Sequence, residues 1–248
     1  MMETGLQFGV AGLLGLVIGS HVVTAAIRRS RGEGTARGRS HCDTCGVSLS
    51  YVQTIPVISF VGLRGACRSC GNRIDPTHFA GEVAGAAILV SAVWIADPMR
   101  VALLSALGLI LLASAVVDAR TRRLPDTLTM GVAALAAALS LTRSLQTLEV
   151  GLVAGALTFA VLTSVRWLSA RNSRAPGLGF GDVKLLSALA IWLGLATPWT
   201  VVAAALIGLV AMAGLRPADR RLPFGPMIAA SAWTVGILVE NGLWPTMA

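Results

Sequence analysis

The sequence predicts an all-α polytopic membrane protein with about eight transmembrane helices and a small zinc-ribbon-like cytoplasmic insertion. The first observation behind this prediction is composition: the 248 residues are 55% hydrophobic and 13% charged, with a mean hydropathy of +0.75. Soluble domains carry about 25% charged residues, so an ordinary water-exposed surface is excluded. The second observation is a series of long apolar stretches, which must be helical because only helices satisfy their backbone groups segment by segment in a bilayer.

Eight apolar stretches define the predicted spans. Several are shorter than the ~20 residues that a straight span prefers, so spans four to six also fit re-entrant segments. In chain order the stretches are Leu6–Ile27, Phe79–Ala96, Val101–Val117, Thr127–Thr142, Val150–Val165, Val183–Ala196, Trp199–Leu215 and Phe224–Val239.

The distribution of basic residues predicts the orientation. With the N-terminus outside the cell membrane, 18 of the 20 Lys and Arg residues fall in inside loops, and only Arg100 and Arg143 fall outside. This asymmetry follows the positive-inside rule. The net charge of +8 therefore indicates membrane topology, so we expect contact with membrane lipid and none with nucleic acid.

The predicted spans and loops divide the chain into three parts. Residues 1–27 form a first transmembrane helix, residues 28–78 a polar cytoplasmic domain with four cysteines, and residues 79–248 a membrane-embedded domain. Glycines spaced four residues apart within the spans are typical of closely packed helices. Three such pairs are Gly15–Gly19, Gly81–Gly85 and Gly151–Gly155.

All four cysteines lie in the cytoplasmic domain. They form the pairs Cys42-x-x-Cys45 and Cys67-x-x-Cys70, with 21 residues between the pairs. Two such knuckles suit tetrahedral Zn²⁺, and the cytoplasm keeps thiols reduced, which favours metal over disulfides. Four sulfur ligands leave no open position for water, so a zinc ion here is structural; redox-active or unliganded cysteines are the alternative.

Carboxylates near a membrane are costly, which makes them functional candidates. Asp118 ends the third span and Asp182 begins the sixth, so the predicted topology places both at the cytoplasmic boundary at similar depth. Glu82 lies one turn inside the second span, where it either caps the helix or pairs with a loop arginine. Glu149 begins a span on the outer side of the membrane, where solvent reaches its carboxylate, so no functional role is needed to explain it.

A glycine-rich segment precedes Asp182 and reads Pro176-Gly177-Leu178-Gly179-Phe180-Gly181. Glycine allows a backbone to approach a ligand closely or to adopt dihedral angles closed to other residues. The segment fits an extended substrate lying against it. A flexible turn with Asp182 as a helix cap fits equally well.

These motifs together resemble the type IV prepilin peptidases, which are leader peptidases of the GxGD aspartic protease group. Several motifs occur in the order of the family and span the chain. They are Gly19-Ser20, the two cysteine pairs, Ile55-Pro56, Ser59, Arg64-Gly65-Ala66-Cys67, Glu82, Asp118, Leu124-Pro125-Asp126, Gly179-Phe180-Gly181-Asp182-x-Lys184-Leu185, Trp192-Leu193-Gly194 and Pro223-Phe224-Gly225-Pro226.

The resemblance implies that Asp118 and Asp182 form a catalytic pair that needs no cofactor for proteolysis. It implies cleavage of prepilins and pseudopilins at the cytoplasmic face of the inner membrane, where a short basic leader is released. Asp126 takes a supporting place. The remaining supporting or substrate-binding residues are Gly179, Gly181, Lys184 and Glu82.

Many members of the family also methylate the new N-terminus with S-adenosylmethionine, an activity associated with the cysteine-bearing loop. Here the chain departs from the family pattern. The first pair reads Cys42-Asp43-Thr44-Cys45, without the usual proline, and the stretch from Gly19 to Thr24 lacks the usual phenylalanine and asparagine. These departures leave the catalytic pair intact and leave methylation open.

Two other functions are alternatives to proteolysis. A transporter or proton-relay protein would use aspartates at the membrane boundary, but it explains neither the glycine-rich segment nor the cysteines. A non-catalytic zinc scaffold explains the cysteines and leaves Asp118 and Asp182 without a role. A metalloprotease is disfavoured because the sequence contains three histidines and no H-E-x-x-H motif.

Overall fold

A computed structural model describes residues 2–34, 39–95, 97–172, 178–215 and 222–243. Over these ranges the regular structure is helical, and extended backbone pairs only in two isolated bridges. Short helices at Tyr51–Thr54 and Ile58–Gly62 follow the first long helix, and a 3-10 turn at Gly194–Ala196 joins the sixth to the seventh. The long helices, α1 to α8, are Met2–Ser30, Pro76–Val93, Pro98–Thr121, Asp126–Leu141, Leu145–Asn172, Phe180–Leu193, Thr197–Leu215 and Gly225–Glu240.

Each predicted apolar stretch falls on one of these helices, which confirms the helical fold class. Ala96, the predicted end of the second span, lies outside the described residues. Five helical segments are long and apolar enough to cross a membrane, and the fifth runs through α6 and α7 together. Helices α4 and α8 are apolar but shorter than the other candidates. The count of eight therefore holds for long helices, while five segments meet the length and composition of a span.

Two of the helices begin at an Asp-Pro pair. Asp75 is the N-cap of α2, and its side chain accepts a hydrogen bond from the Thr77 amide. Asp97 caps α3 in the same way through the Met99 amide. Aspartate satisfies a free amide of the first turn, and the following proline supplies a helical φ where no amide is needed, so the sequence sets both starting points.

The chain forms two compact units, Met1–Trp94 and Ile95–Ala248. The first holds α1, the cysteine loop and α2, and the second holds α3 to α8. The three-part division at residues 27 and 78 stays a prediction.

In the first unit, the predicted glycine pairs of α1 and α2 face each other. A Cβ on Gly15 would lie 2.5 Å from the Gly85 carbonyl oxygen, and one on Gly19 would lie 2.5 Å from the Gly81 carbonyl oxygen. Real Cβ atoms do not approach so closely, so the two backbones meet only because all four positions are glycine. The predicted close packing of these two pairs is confirmed.

In the second unit, the short helix α6 is the best-buried helix. Leu185, Leu189 and Trp192 are all at most 2% exposed. The third predicted glycine pair lies on α5 against α6: a Cβ on Gly155 would lie 3.0 Å from the Ser187 carbonyl oxygen, and Gly151 faces the Ile191 carbonyl. The sixth predicted span is therefore the centre of its unit, and its first turn carries Asp182.

A buried ion cluster joins the ends of four helices of the second unit. The Glu240 side chain is fully buried at the end of α8, and it pairs with Arg100 at the start of α3 and with Arg143 after α4. Its carboxylate also accepts a hydrogen bond of 2.7 Å from the Trp192 indole of α6. The two arginines that the orientation prediction leaves outside therefore share one acidic partner.

Candidate active site and metal centre

Asp118 lies in the last turn of α3 and is 5% exposed. One carboxylate oxygen accepts a hydrogen bond of 2.8 Å from the Gly225 amide, the first residue of α8. Amides of the first helical turn have no partner within the helix, and the positive end of the helix dipole attracts a carboxylate. The start of α8 therefore holds the Asp118 side chain in place.

The position of Gly225 requires glycine for a steric reason. A Cβ there would lie 2.6 Å from the Asp118 carboxylate oxygen and 2.8 Å from the Asp118 Cβ. Sequence analysis recorded Gly225 only as part of a family motif and gave it no role. The signal that identifies its place is the Gly-Pro pair, because proline is typical of the first positions of a helix.

Asp182 is the third residue of α6 and is half-buried. The N-cap of α6 is Gly179, so the expectation that Asp182 itself caps the helix is wrong. Instead, the carboxylate reaches back toward the Gly179 amide, as acidic side chains do at the third helical position. Pro176 and Gly177, which begin the predicted glycine-rich segment, lie outside the described residues.

Both glycines of the GxGD motif lie in tight packing around Asp182. A Cβ on Gly179 would lie 2.7 Å from the Asp182 carboxylate oxygen. A Cβ on Gly181 would lie 3.1 Å from the Cβ of Leu124, a buried residue between α3 and α4. The motif thus brings the start of α6 against the segment that follows Asp118.

The two aspartates lie in the same unit, at the end of α3 and the start of α6. Their carboxyls are close enough for the charge of Asp118 to act on Asp182. Asp118 is buried and Asp182 is half-exposed, so a polar substrate could reach the pair from the side of Asp182. This arrangement suits chemistry that needs two carboxyls and one water molecule.

Lys184 and Asp126 form an ion pair that joins the first turns of α6 and α4. The Asp126 side chain is 71% exposed and that of Lys184 is 27% exposed. The Lys184 ammonium also lies 5.2 Å from the centre of the Phe180 ring. The structure therefore pairs the two predicted supporting residues with each other, a contact that a separation of 58 residues does not reveal.

Arg166 of α5 is a neighbour of the site that sequence analysis did not identify. Its guanidinium donates a hydrogen bond to the Leu178 carbonyl and lies 6.0 Å from the centre of the Phe180 ring. The Phe180 ring also meets Phe159 edge to face. These contacts attach the segment before Asp182 to α5.

The four cysteine sulfurs lie within 4.8 Å of one another, and the Cys42 and Cys70 sulfurs are 3.9 Å apart. All four are free thiols rather than disulfides. The amides of Cys45 and Thr44 donate to the Cys42 sulfur and lower its pKa to about 6. The cluster therefore has the donors and the spacing to hold a metal ion.

The two cysteine pairs fold alike. In the first knuckle the Cys42 amide bonds the Val47 carbonyl at 3.0 Å, and in the second the Cys67 amide bonds the Asn72 carbonyl at 2.8 Å. The glycine after each second cysteine has φ near +70°, a region that favours glycine. The Asn72 side chain bonds the Thr44 hydroxyl across the cluster, so each knuckle supports the other.

Arg31 connects the end of α1 to the first knuckle. Its guanidinium forms two parallel hydrogen bonds to Asp43, of 3.0 and 2.9 Å, and it holds the pKa of Asp43 below the ordinary value. The resemblance had implied only that Asp43 departs from the family pattern. In this chain the acidic residue between the cysteines attaches the cluster to α1.

Glu82 of α2 is 8% exposed, and Asp75 rather than Glu82 caps the helix, so the expectation of a cap is wrong. Pairing of Glu82 with a loop arginine stays a prediction, because Arg37 of that loop lies outside the described residues. One oxygen accepts from the Ser20 hydroxyl of α1 at 2.9 Å, and the other accepts from the Val57 amide at 2.7 Å. Val57 has φ +62°, which is unusual for a β-branched residue. Glu82 therefore holds the cysteine loop between α1 and α2.

Two family models match the chain in order. The bacterial Peptidase A24 N-terminal domain matches residues 13–96, and the type IV leader peptidase family matches residues 105–213. No solved structure matches.

Curated relatives carry the name "Prepilin leader peptidase/N-methyltransferase". One from Burkholderia pseudomallei (strain K96243) is 32% identical over 92% of this chain and 84% of its own length. One from Bacillus subtilis (strain 168) is 31% identical over 89% of this chain and 90% of its own length. One from Neisseria gonorrhoeae is 33% identical over 83% and 72%. These matches do not favour the transporter alternative.

Proposed function

Because this chain belongs to the type IV leader peptidase family, we propose that it is an aspartic endopeptidase with Asp118 and Asp182 as its catalytic residues. The observation that carries the proposal is the placement of these two carboxyls at the end of α3 and the start of α6, within range of each other's charge. The substrates are type IV prepilins and pseudopilins, from which the enzyme removes a basic leader.

The chemistry follows from two interacting carboxyls. Two carboxyls that act on one water molecule disfavour double ionisation, so the active pair would retain one proton, and that proton belongs to the pair. The ionised carboxyl takes a proton from water, whose oxygen attacks the scissile carbonyl carbon. The protonated carboxyl hydrogen-bonds the carbonyl oxygen, and a proton passes to the departing amide nitrogen as the C–N bond breaks.

The other predicted site residues position this pair. Gly179 and Gly181 let the chain pass beside Asp182 and Leu124, and the Gly225 amide orients Asp118. Asp126 and Lys184 act through their ion pair, which fixes the start of α6 relative to α4. We assign all of them to positioning rather than to the bond-breaking step.

The protein is a multi-pass membrane protein, and we place its N-terminus outside and its active site at the cytoplasmic face of the inner membrane. The distribution of basic residues supports this orientation. The pairing of Arg100 and Arg143 with Glu240 supports it too, because it partly neutralises the two basic residues that the topology leaves outside. The prepilin's apolar helix would then pack among membrane helices in contact with lipid, and no nucleic acid takes part.

We assign the cysteine cluster to a structural zinc ion held by Cys42, Cys45, Cys67 and Cys70. Tetrahedral coordination with Zn–S bonds of about 2.3 Å gives sulfur–sulfur distances of about 3.8 Å. The distance of 3.9 Å between the Cys42 and Cys70 sulfurs agrees with this value. A four-sulfur site has no open position, so the metal would stabilise the loop and leave the proteolytic step to the aspartates.

We also propose that the enzyme methylates the newly exposed N-terminal amine with S-adenosylmethionine. The names of the curated relatives, which join both activities, support this proposal. The match of the N-terminal family model to residues 13–96, which include the cysteine loop, supports it as well.

The decisive experiment co-expresses a prepilin with the wild-type enzyme, Asp118→Asn or Asp182→Asn and follows leader removal by gel mobility. Each variant should abolish cleavage and remain in the membrane, because asparagine preserves the side-chain shape but removes the shared proton chemistry. Asp97→Asn is the matched control: asparagine caps a helix as well as aspartate, so cleavage should equal that of the wild type. Substantial cleavage by either catalytic-site variant would refute the pair.

A further inference from the structure

Two arginines share one carboxylate at the ends of three helices of the second unit. Arg100 lies at the start of α3 and Arg143 just after α4, and both form ion pairs with Glu240, the last residue of α8. We propose that Arg100 and Arg143, here called the arginine pair, bind a phosphate group and that an anionic membrane lipid supplies it. The inference goes beyond leader cleavage. It uses the proposed topology only to assign the site to the outer side of the membrane.

The charges of this cluster do not balance. Two guanidiniums face one carboxylate, which leaves one positive charge in excess. Burial and, next, the positive charge of Arg100 lower the pKa of Arg143 to about 10, so the two guanidiniums lie within range of each other's repulsion. The Glu240 carboxylate is fully buried, whereas the two arginine side chains are 20% and 23% exposed and remain open to a ligand. An excess charge that is largely buried is stabilised by a counter-ion.

The arginine pair also has hydrogen-bond donors to spare. Each guanidinium carries five N–H groups, and each ion pair with Glu240 uses one terminal nitrogen. The Nε of Arg100 is buried and has no hydrogen-bond partner within the part of the chain that the structure describes. Asp97, the acid nearest to Arg100 along the chain, is exposed, and its side chain accepts from the Met99 amide. A phosphate group offers several acceptor oxygens, which arginine binds through parallel N–H bonds.

The position of Arg100 on its helix adds to the need for an anion. Arg100 is the third residue of α3, at the positive end of the helix dipole, where a cation is unfavourable. The start of α3 does not depend on this arginine, because Asp97 and Pro98 already cap the helix. A bound phosphate would offset the unfavourable charge and connect α3 to the end of α4.

The surroundings of the arginine pair favour a lipid as the source of the phosphate. Large apolar side chains beside both arginines are exposed: Met99 is 62% exposed, Leu141 50% and Leu145 69%. In a membrane such side chains contact acyl chains. Trp199, at the start of α7, is 54% exposed, and tryptophan is typical of the boundary between membrane and water. These helix ends therefore lie at the depth of lipid head groups, where basic sites between helices bind anionic lipids.

The test measures binding of dioleoylphosphatidylglycerol to the purified full-length protein in detergent by native mass spectrometry. Arg143→Gln should weaken the tightest binding about tenfold, because it removes one fork of the site. The variant leaves Glu240 paired with Arg100, so a neutral ion pair remains at the helix ends. Arg171→Gln, at the far end of α5, is the matched control: it removes the same charge outside the cluster and should leave the affinity unchanged.

Two further ligands separate the possible sources of phosphate. Dioleoylphosphatidylcholine has a head group without net charge and should bind the site at least about tenfold more weakly. A large excess of inorganic phosphate should not displace dioleoylphosphatidylglycerol, because it lacks the acyl chains that contact Met99, Leu141 and Leu145. Displacement by inorganic phosphate would assign the site to free phosphate and overturn the lipid source.

A second measurement does not depend on the folding of a variant. A phosphatidylglycerol analogue with a photoreactive group on its head should label wild-type protein in lipid nanodiscs within residues 97–103, 141–147 or 235–243. Labelling only outside these ranges, or equal affinity of Arg143→Gln and the wild type for dioleoylphosphatidylglycerol, would overturn the proposal. Neither measurement involves leader cleavage, so a negative result would leave the catalytic aspartates as proposed.

Discussion

Substituting Gly225 by alanine isolates the contact that holds Asp118. The Gly225 amide donates to the Asp118 carboxylate, and a Cβ at this position would lie 2.6 Å from the accepting oxygen. Gly225 does not have a positive φ, so alanine adopts its backbone angles without strain. The substitution therefore acts only through the new methyl group.

The size of the effect follows from these distances. Ordinary contact begins at 3.4 Å, so the 2.6 Å approach requires a displacement of 0.8 Å, taken by Asp118, by α8 or by both. A misplacement of about 1 Å at a catalytic group costs about 100-fold in rate. We therefore expect leader cleavage to slow about 100-fold, equivalent to about 2.7 kcal/mol of activation free energy.

The assay is single-turnover cleavage of a purified full-length prepilin in detergent, which separates the chemical step from product release. Gly214→Ala on α7 is the matched control, since a Cβ there meets nothing within 4 Å, and it should cleave at the wild-type rate. Gly225→Ala should keep its helix content and membrane extraction behaviour. A rate for Gly225→Ala within a factor of two or three of the wild type would refute the positioning of Asp118 by α8.

Three further predictions concern the surrounding contacts. Asp126→Asn and Lys184→Met should each lower the cleavage rate less than about tenfold. In a double-mutant cycle of unfolding their coupling free energy should be below about 1 kcal/mol, because the Asp126 side chain is largely solvated. A coupling of several kcal/mol would contradict this. Metal analysis should find one zinc per chain. Cys67→Ser or chelation should lower the melting temperature, while the protein that stays folded should keep its single-turnover cleavage rate. Folded protein without metal would contradict the zinc site. Glu240→Gln should destabilise the second unit by about 3–5 kcal/mol in denaturant unfolding, since two arginines lose a fully buried partner, and an unchanged midpoint would contradict the role of the cluster.

The helices and the cysteine cluster were predictable because their signals are local. Apolar runs of span length specify helices wherever the solvent is lipid, and Asp-Pro pairs mark the starts of α2 and α3. The spacing of Cys42 and Cys45 brings two sulfurs to one turn whatever the rest of the chain does. Glycines four residues apart likewise share one helix face, so Gly15 and Gly19 predict close packing of α1 without indicating which helix is its partner.

The partners of the polar side chains were not predictable in the same way. Glu82 was expected to cap its helix, but it binds Ser20 and the Val57 amide. A lone carboxylate in a sequence carries no record of which amide or hydroxyl the folded chain presents to it. The choice depends on the path of the cysteine loop, where Val57 adopts a left-handed conformation that its residue type does not suggest.

The sequence alone determined the helical membrane fold and the four-cysteine pattern, because both follow from residue type and short spacing. The predicted topology and the family resemblance together pointed to the two candidate catalytic aspartates. Only the tertiary structure decided what surrounds those aspartates: the α8 amide that binds Asp118, and the glycines that give Asp182 room. It also decided that Glu240 joins Arg100 and Arg143. These contacts link residues as many as 140 positions apart, and such contacts arise from helix packing, which sums many weak interactions that no local pattern encodes.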